Sequence, residues 1–118
     1  NPLGCAAANA SLDLLEHKPQ KYLNFEYRYL PYVNKIKTLS YVKNIRICGT
    51  IAAFELEVEK NSGYFSDIGK KIKALAIKNG LFIRPLGNVI YLLPPLCITE
   101  QQLEKSYEII YQILLDIN

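Results

Sequence analysis

Between residues 81 and 95 the chain reads as an apolar run, a Pro85-Leu86-Gly87 turn, a second apolar run and a Pro94-Pro95 stop. That punctuation constrains the chain more than any other feature. Proline presets the backbone for a turn and glycine accepts turn conformations closed to other residues. The runs at 81–84 and 88–93 are too short for helices, so two short strands are expected around the turn. On either side the period changes from two to three or four. Upstream, Ile68, Ile72, Leu75 and Ala76 would form the inner face of a helix over 65–78, with Lys70, Lys71, Lys73 and Lys78 outside. Asn79-Gly80 ends it, since glycine takes the left-handed conformation at low cost. Downstream, Thr99 with Gln102 three residues on is a capping-box start for a last helix. Leu103, Tyr107, Ile110, Ile113 and Leu114 make its core stripe.

The first half follows the same logic. Asn1-Pro2 suits a helix opening, and the segment over 3–16 is small or apolar on most sides (Ala6, Ala7, Ala8, Ala10, Leu12, Leu14, Leu15), which calls for a packing partner outside this sequence. A second helix is expected over 20–39, with Tyr22, Phe25, Tyr29, Val33 and Ile36 buried and a kink or interruption at Pro31. Strands are expected over 42–48, with Val42, Ile45 and Ile47 apolar, and over 50–57, with Phe54 and Leu56 on one side; Gly49 separates them. Residues 59–62 are a polar loop closed by Gly63. The sum is an α+β domain, helices packed on a small, mainly antiparallel sheet.

Several function classes lose support here. A chain of 118 residues makes one ordinary domain, and 50% hydrophobic with 21% charged residues is a globular balance. The net charge of +3 comes from lysines spread over helical faces, not gathered into a nucleic-acid footprint. No apolar run approaches the ~20 residues of a membrane span. The start has neither a basic segment nor Met, which is absent throughout, so an excised piece of a longer chain is the expectation. Cys5, Cys48 and Cys97 have no paired spacing and are expected as buried thiols in a reducing compartment, the cytoplasm. His17 ends the first helix, where a cation suits the helix dipole. No catalytic set, metal-ligand spacing or phosphate loop is present; Gly4, Gly49 and Gly87 stand alone.

Arg84 remains. Lying between apolar strand residues and a proline turn, it would be partly desolvated and would need an anionic partner. The planar guanidinium suits a carboxylate held through two hydrogen bonds. An internal ion pair with Glu55 or Glu57 across the sheet answers the same need, and Tyr91 serves equally as a packed strand aromatic.

The run Arg84-Pro85-Leu86-Gly87-Asn88-Val89-Ile90-Tyr91-Leu92-Leu93-Pro94-Pro95 resembles the C-terminal motif of the class III aminotransferases, and most of all their biotin-pathway branch. Three further pieces agree in order. Asn1-Pro2-Leu3-Gly4-Cys5-Ala6-Ala7-Ala8 resembles the helix that follows the family's phosphate-binding segment; Val42 to Glu55, around Gly49, resembles its paired strands; Ile98-Thr99-Glu100-Gln101-Gln102-Leu103 resembles the start of its last helix. The resemblance implies the small C-terminal domain of a fold type I, pyridoxal-phosphate (PLP)-dependent transferase. Residues 1–39 would be a helical connection from a large PLP domain and 40–118 the small domain. It implies a homodimer that transfers the amino group of S-adenosylmethionine to 8-amino-7-oxononanoate, giving 7,8-diaminononanoate. Arg84 would hold the substrate carboxylate, with Tyr91 near the same pocket. The imine-forming lysine and the phosphate site lie upstream of Asn1 in the family, so PLP would be bound by residues outside this chain, and the segment alone is expected to be inactive. Gly4, where the family commonly has Ala, and Leu96, where an aromatic often follows the two prolines, depart from the pattern. A non-catalytic remnant or interaction domain of the same fold, or another class III aminotransferase, are the alternatives.

Overall fold

The structure, a computed structural model, describes residues 1–17, 24–57 and 67–117. Its elements run α1 (Pro2–His17), α2 (Phe25–Lys37), β1 (Val42–Cys48), β2 (Ile51–Leu56), α3 (Ile68–Lys78), β3 (Val89–Leu92) and α4 (Glu100–Asp116). The strands form one antiparallel sheet in the order β1-β2-β3, an α+β arrangement as expected.

Local chemistry sets the helix ends. The Asn1 side chain accepts from the N–H of Leu3 at 3.1 Å and caps α1. Thr99 and Gln102 form the reciprocal capping box of α4: Gln102 N–H donates to Thr99 Oγ1 at 3.2 Å, and Thr99 N–H to Gln102 Oε1 at 3.0 Å. At the end of α3, Gly80 sits at φ 79°, its N–H donating to the Ile77 carbonyl and the Leu81 N–H to the Ala76 carbonyl. This is a Schellman motif, built on the Asn79-Gly80 stop. Pro31 does not interrupt α2. It stands on the exposed side, where the carbonyl left without a proline N–H can turn to water.

Strand β1 carries its apolar residues at 42, 45 and 47, one step of three and one of two. A regular strand would throw Val42 to the opposite face. The register with β2 shifts between Lys43 and Arg46, and Asn44 takes φ 49°. The β-bulge absorbs the extra residue, so Val42 and Ile47 face the same side, opposite Leu56 and Ala52. Ala52, Phe54 and Leu56 of β2 and Ile90 and Leu92 of β3 complete that face.

Against it pack Phe25, Tyr29, Val33 and Ile36 of α2, Ile72 and Ala76 of α3, and the whole expected stripe of α4. Tyr22 lies outside the described residues, as do Phe65 and the polar loop at 59–62. An aromatic cluster ties α2 to α4: Tyr107 stacks on Tyr32 at 4.9 Å and meets Tyr29 edge-on at 5.7 Å. Burial raises the Tyr29 phenol to about 12 and pushes that of Tyr107 higher still.

Two expectations are corrected. Residues 81–84 form no strand: Ile83 enters the core, Phe82 and Arg84 face outward, and among the described residues outside the named strands only Leu86 bridges to Val89. All three cysteines are exposed. Apolar neighbours in sequence did not bury them, because Cys5 lies on α1, where no residue is buried, Cys48 ends β1 beside the Gly49 turn, and Cys97 lies in the turn before α4. Leu3, Leu12 and Leu14 of α1 are at 82%, 57% and 64% exposure, the unpartnered apolar surface its composition calls for.

Candidate functional site

The residues of the opening motif come together along the outer side of β3. Residues 81–84 leave the end of α3 without regular secondary structure, and the chain turns at Pro85-Leu86-Gly87 to re-enter as β3. Gly87 adopts φ 61°, which the turn requires and glycine supplies without strain. The turn is held from both sides. Leu86 and Val89 exchange N–H to carbonyl bonds at 2.9 Å, and the Asn88 side chain donates to the Leu56 carbonyl at 2.9 Å.

Between this run and residues 91–95 lies a cleft of about 380 Å³, lined also by Ile98, Leu103 and Ser106. Its walls are mostly apolar (Leu81, Phe82, Ile83, Leu92, Leu93, Pro94, Pro95), and both Arg84 and Tyr91 line it. The sequence motif thus places its two named polar residues on one cavity. Ser106 is spoken for, its hydroxyl donating to the Gln102 carbonyl at 2.8 Å.

Arg84 is exposed, not partly desolvated, because the run carrying it hangs outside the sheet. Neither carboxylate proposed as its internal partner is available. Glu55 accepts from Asn44 Nδ2 at 2.9 Å and Arg46 Nη1 at 2.8 Å, and Glu57 pairs with Lys43 at 3.5 Å. The Asn44 and Arg46 hydrogen bonds hold the Glu55 carboxyl below its ordinary range, so it stays ionised and engaged with them. Among the described residues Arg84 has no ion pair, and its fork is open to an anion from the cleft. Tyr91 lies opposite Ala53, whose methyl group is the smallest side chain that β2 could offer there short of glycine.

Two contributions went unnoticed in the sequence. Gly69 of α3 is buried where the helix meets the turn; a Cβ there would stand 2.2 Å from the Gly87 carbonyl oxygen. A glycine inside a lysine-rich helix, costly at about 1 kcal/mol relative to alanine, was the available signal. Arg28 of α2 donates to the Ile98 carbonyl at 2.9 Å, pairs with Glu100 at 2.5 Å and lies 4.5 Å over the Phe25 ring, holding a segment that lines the cleft. Of the two departures from the family pattern, Leu96 packs partly buried against the core and is not part of the cleft lining. Gly4 has room for a methyl group, with nothing nearer than 3.8 Å.

Among the described residues there is no cluster of three or more potential metal ligands, and no helix is long and apolar enough to cross a membrane. The family model for aminotransferase class-III matches residues 1–114. The chain belongs to the class III aminotransferases. Adenosylmethionine-8-amino-7-oxononanoate aminotransferase of Synechococcus elongatus is 43% identical to it over 117 residues, covering 99% of this chain and 27% of that protein. The protein of the same name from Helicobacter pylori is 34% identical, covering 97% and 27%. Among solved structures, the enzyme of that name from Methanocaldococcus jannaschii superposes with a TM-score of 0.86 at 28% identity, over 98% of this chain and 28% of that one. Acetylornithine aminotransferase from Elizabethkingia anophelis gives 0.80 at 28% identity, over 98% and 29%. This class III chain spans about a quarter of the length of the relatives it matches.

Proposed function

We propose that this chain serves a PLP-dependent aminotransferase that moves the amino group of S-adenosylmethionine to 8-amino-7-oxononanoate, giving 7,8-diaminononanoate for biotin, and that its part is recognition of the substrate carboxylate. The observation that carries this is the open guanidinium of Arg84 on a mostly apolar cleft, with Tyr91 on the same lining. An aliphatic acid needs one charged anchor and apolar walls for its chain, and the cleft offers both. The names of the relatives supply the substrates.

The cleft does not fit PLP itself. Among the described residues no lysine lines it to form an imine, and Arg84 is the one cation on its lining. Holding the cofactor therefore belongs to other residues of the enzyme. In this reading residues 1–39 connect to the cofactor domain and 40–118 form the small domain, with α2 of the connection packed into the core of the latter. The exposed apolar side of α1 supports burial in a larger assembly, a homodimer. Three exposed thiols without disulfides support a reducing compartment, the cytoplasm.

The test is Arg84→Ala in the aminotransferase carrying this chain, assayed with 8-amino-7-oxononanoate and its methyl ester. Charge-assisted hydrogen bonds contribute about 1.5–3 kcal/mol, so KM for the acid should rise roughly 10- to 100-fold and the preference for acid over ester should vanish. Arg84→Lys should restore it only in part, because an ammonium lacks the fork. An unchanged preference in Arg84→Ala would overturn the reading.

A further inference from the structure

Helix α3 carries a glycine as its second residue, buried against the turn that follows Arg84. Glycine weakens a helix relative to alanine, so its presence there calls for a compensating gain. The gain is a backbone-to-backbone approach. A Cβ on Gly69 would fall 2.2 Å from the Gly87 carbonyl oxygen and 3.1 Å from the Pro85 Cβ. The first distance is closer than any real Cβ contact, and both atoms belong to the turn, not to the end of a flexible side chain. The turn cannot yield locally. The Pro85 ring fixes its φ, Gly87 is already left-handed, Leu86 and Val89 are doubly bonded, and Asn88 is tied to Leu56 by its side chain and by its carbonyl. A group added at Gly69 therefore displaces the turn as a block. Arg84 is joined directly to that block, whereas Tyr91 is held in the ladder opposite Ala53.

We infer that Gly69 is a positioning residue: by having no side chain it seats α3 on the Pro85-Leu86-Gly87 turn and so fixes where the Arg84 guanidinium stands relative to Tyr91 across the cleft. The inference rests on the reading that Arg84 holds the substrate carboxylate. Misplacement of a binding group by about 1 Å can cost up to two orders of magnitude in rate. Gly69→Ala should therefore raise KM for the acid by about tenfold, leave kcat at saturation within about twofold, and leave KM for the methyl ester unchanged.

The experiment measures Gly69→Ala in the aminotransferase carrying this chain, with Ile72→Val as a control. Ile72 is fully buried in the same helix but lies outside the cleft lining, so its truncation lowers Tm without moving the turn. If Gly69→Ala lowers Tm as Ile72→Val does and keeps the wild-type ratio of acid to ester KM, Gly69 is merely structural and the inference falls. Should Gly69→Ala fail to fold, Pro85→Gly unlocks the turn from the other side and must weaken acid selectivity in the same way; an unchanged ratio there also overturns the inference. Arg84→Ala in the same series separates the two claims. If it abolishes acid selectivity while the Gly69 and Pro85 variants retain it, only the inference is lost; if it changes nothing, the reading beneath it is lost as well.

Discussion

Tyr107 should be more stable as phenylalanine. Its side chain sits between α2 and α4 at 2% exposure, and among the described residues its hydroxyl has no hydrogen-bond partner. A buried, unsatisfied polar group costs about 1–3 kcal/mol. Tyr107→Phe removes that cost and keeps the ring, with its stacked contact to Tyr32 and its edge contact to Tyr29. Against this stands a small void where the oxygen was, worth about 0.3 kcal/mol at the usual cost per unit of cavity volume. The net expectation is a gain of about 1 kcal/mol, or roughly 4 °C in Tm for a domain of this size. In urea the midpoint should rise by about 0.5 M with an unchanged slope. Tyr29→Phe is the matched comparison. That hydroxyl donates to the Thr50 carbonyl at 2.6 Å, so its loss should destabilise by about 1 kcal/mol. Two adjacent tyrosines of one cluster thus respond with opposite signs. A loss of about 0.5 kcal/mol or more in Tyr107→Phe would show that the hydroxyl has a partner and refute the reasoning.

Two further outcomes follow from the same structure. Thr99→Ala removes one half of the α4 capping box and should cost about 1 kcal/mol in chemical denaturation, whereas Thr99→Ser should cost little. Tyr29 titrates near 10 when unfolded and about 12 when folded, so the folded chain keeps its proton longer; this stability is complete below pH 10 and is lost as pH rises toward 12. Denaturation midpoints measured across that window should fall, and less steeply in Tyr29→Phe; equal slopes would count against burial of the phenol.

Features written in neighbouring residues were legible from the sequence alone. The Thr99–Gln102 box, the Asn79-Gly80 stop and the α4 stripe depend on atoms three to five residues apart, and each formed as the spacing implied. The sheet was legible in outline, including the uneven 42, 45, 47 pattern, but its consequence, a bulge with Asn44 left-handed, emerges only when β2 supplies a register. What stayed hidden depended on partners far along the chain. Residues 81–84 have strand-like composition, yet a strand needs a neighbour to bond with, and among the described residues they find none, the nearby bridge joining Leu86 to Val89 instead. That same failure exposes Arg84. The Gly69 contact joins residues eighteen positions from each other, which no local pattern announces. The cysteines misled because a hydrophobic neighbourhood buries a thiol only if the neighbourhood itself is covered, and α1 is not. For the site, the motif led to Arg84 and Tyr91, while the lining from α4 and the Arg28 tether required the fold.

The two prolines after β3 have a consequence beyond lining the cleft. β3 is an outermost strand of a three-stranded sheet, and such a strand can template pairing with another molecule. Pro94 and Pro95 have no N–H to offer, so an incoming segment could add only a few bonds along β3 before the ladder ran out. The same pair that lines the cleft therefore also limits how far another strand could extend the sheet from this edge.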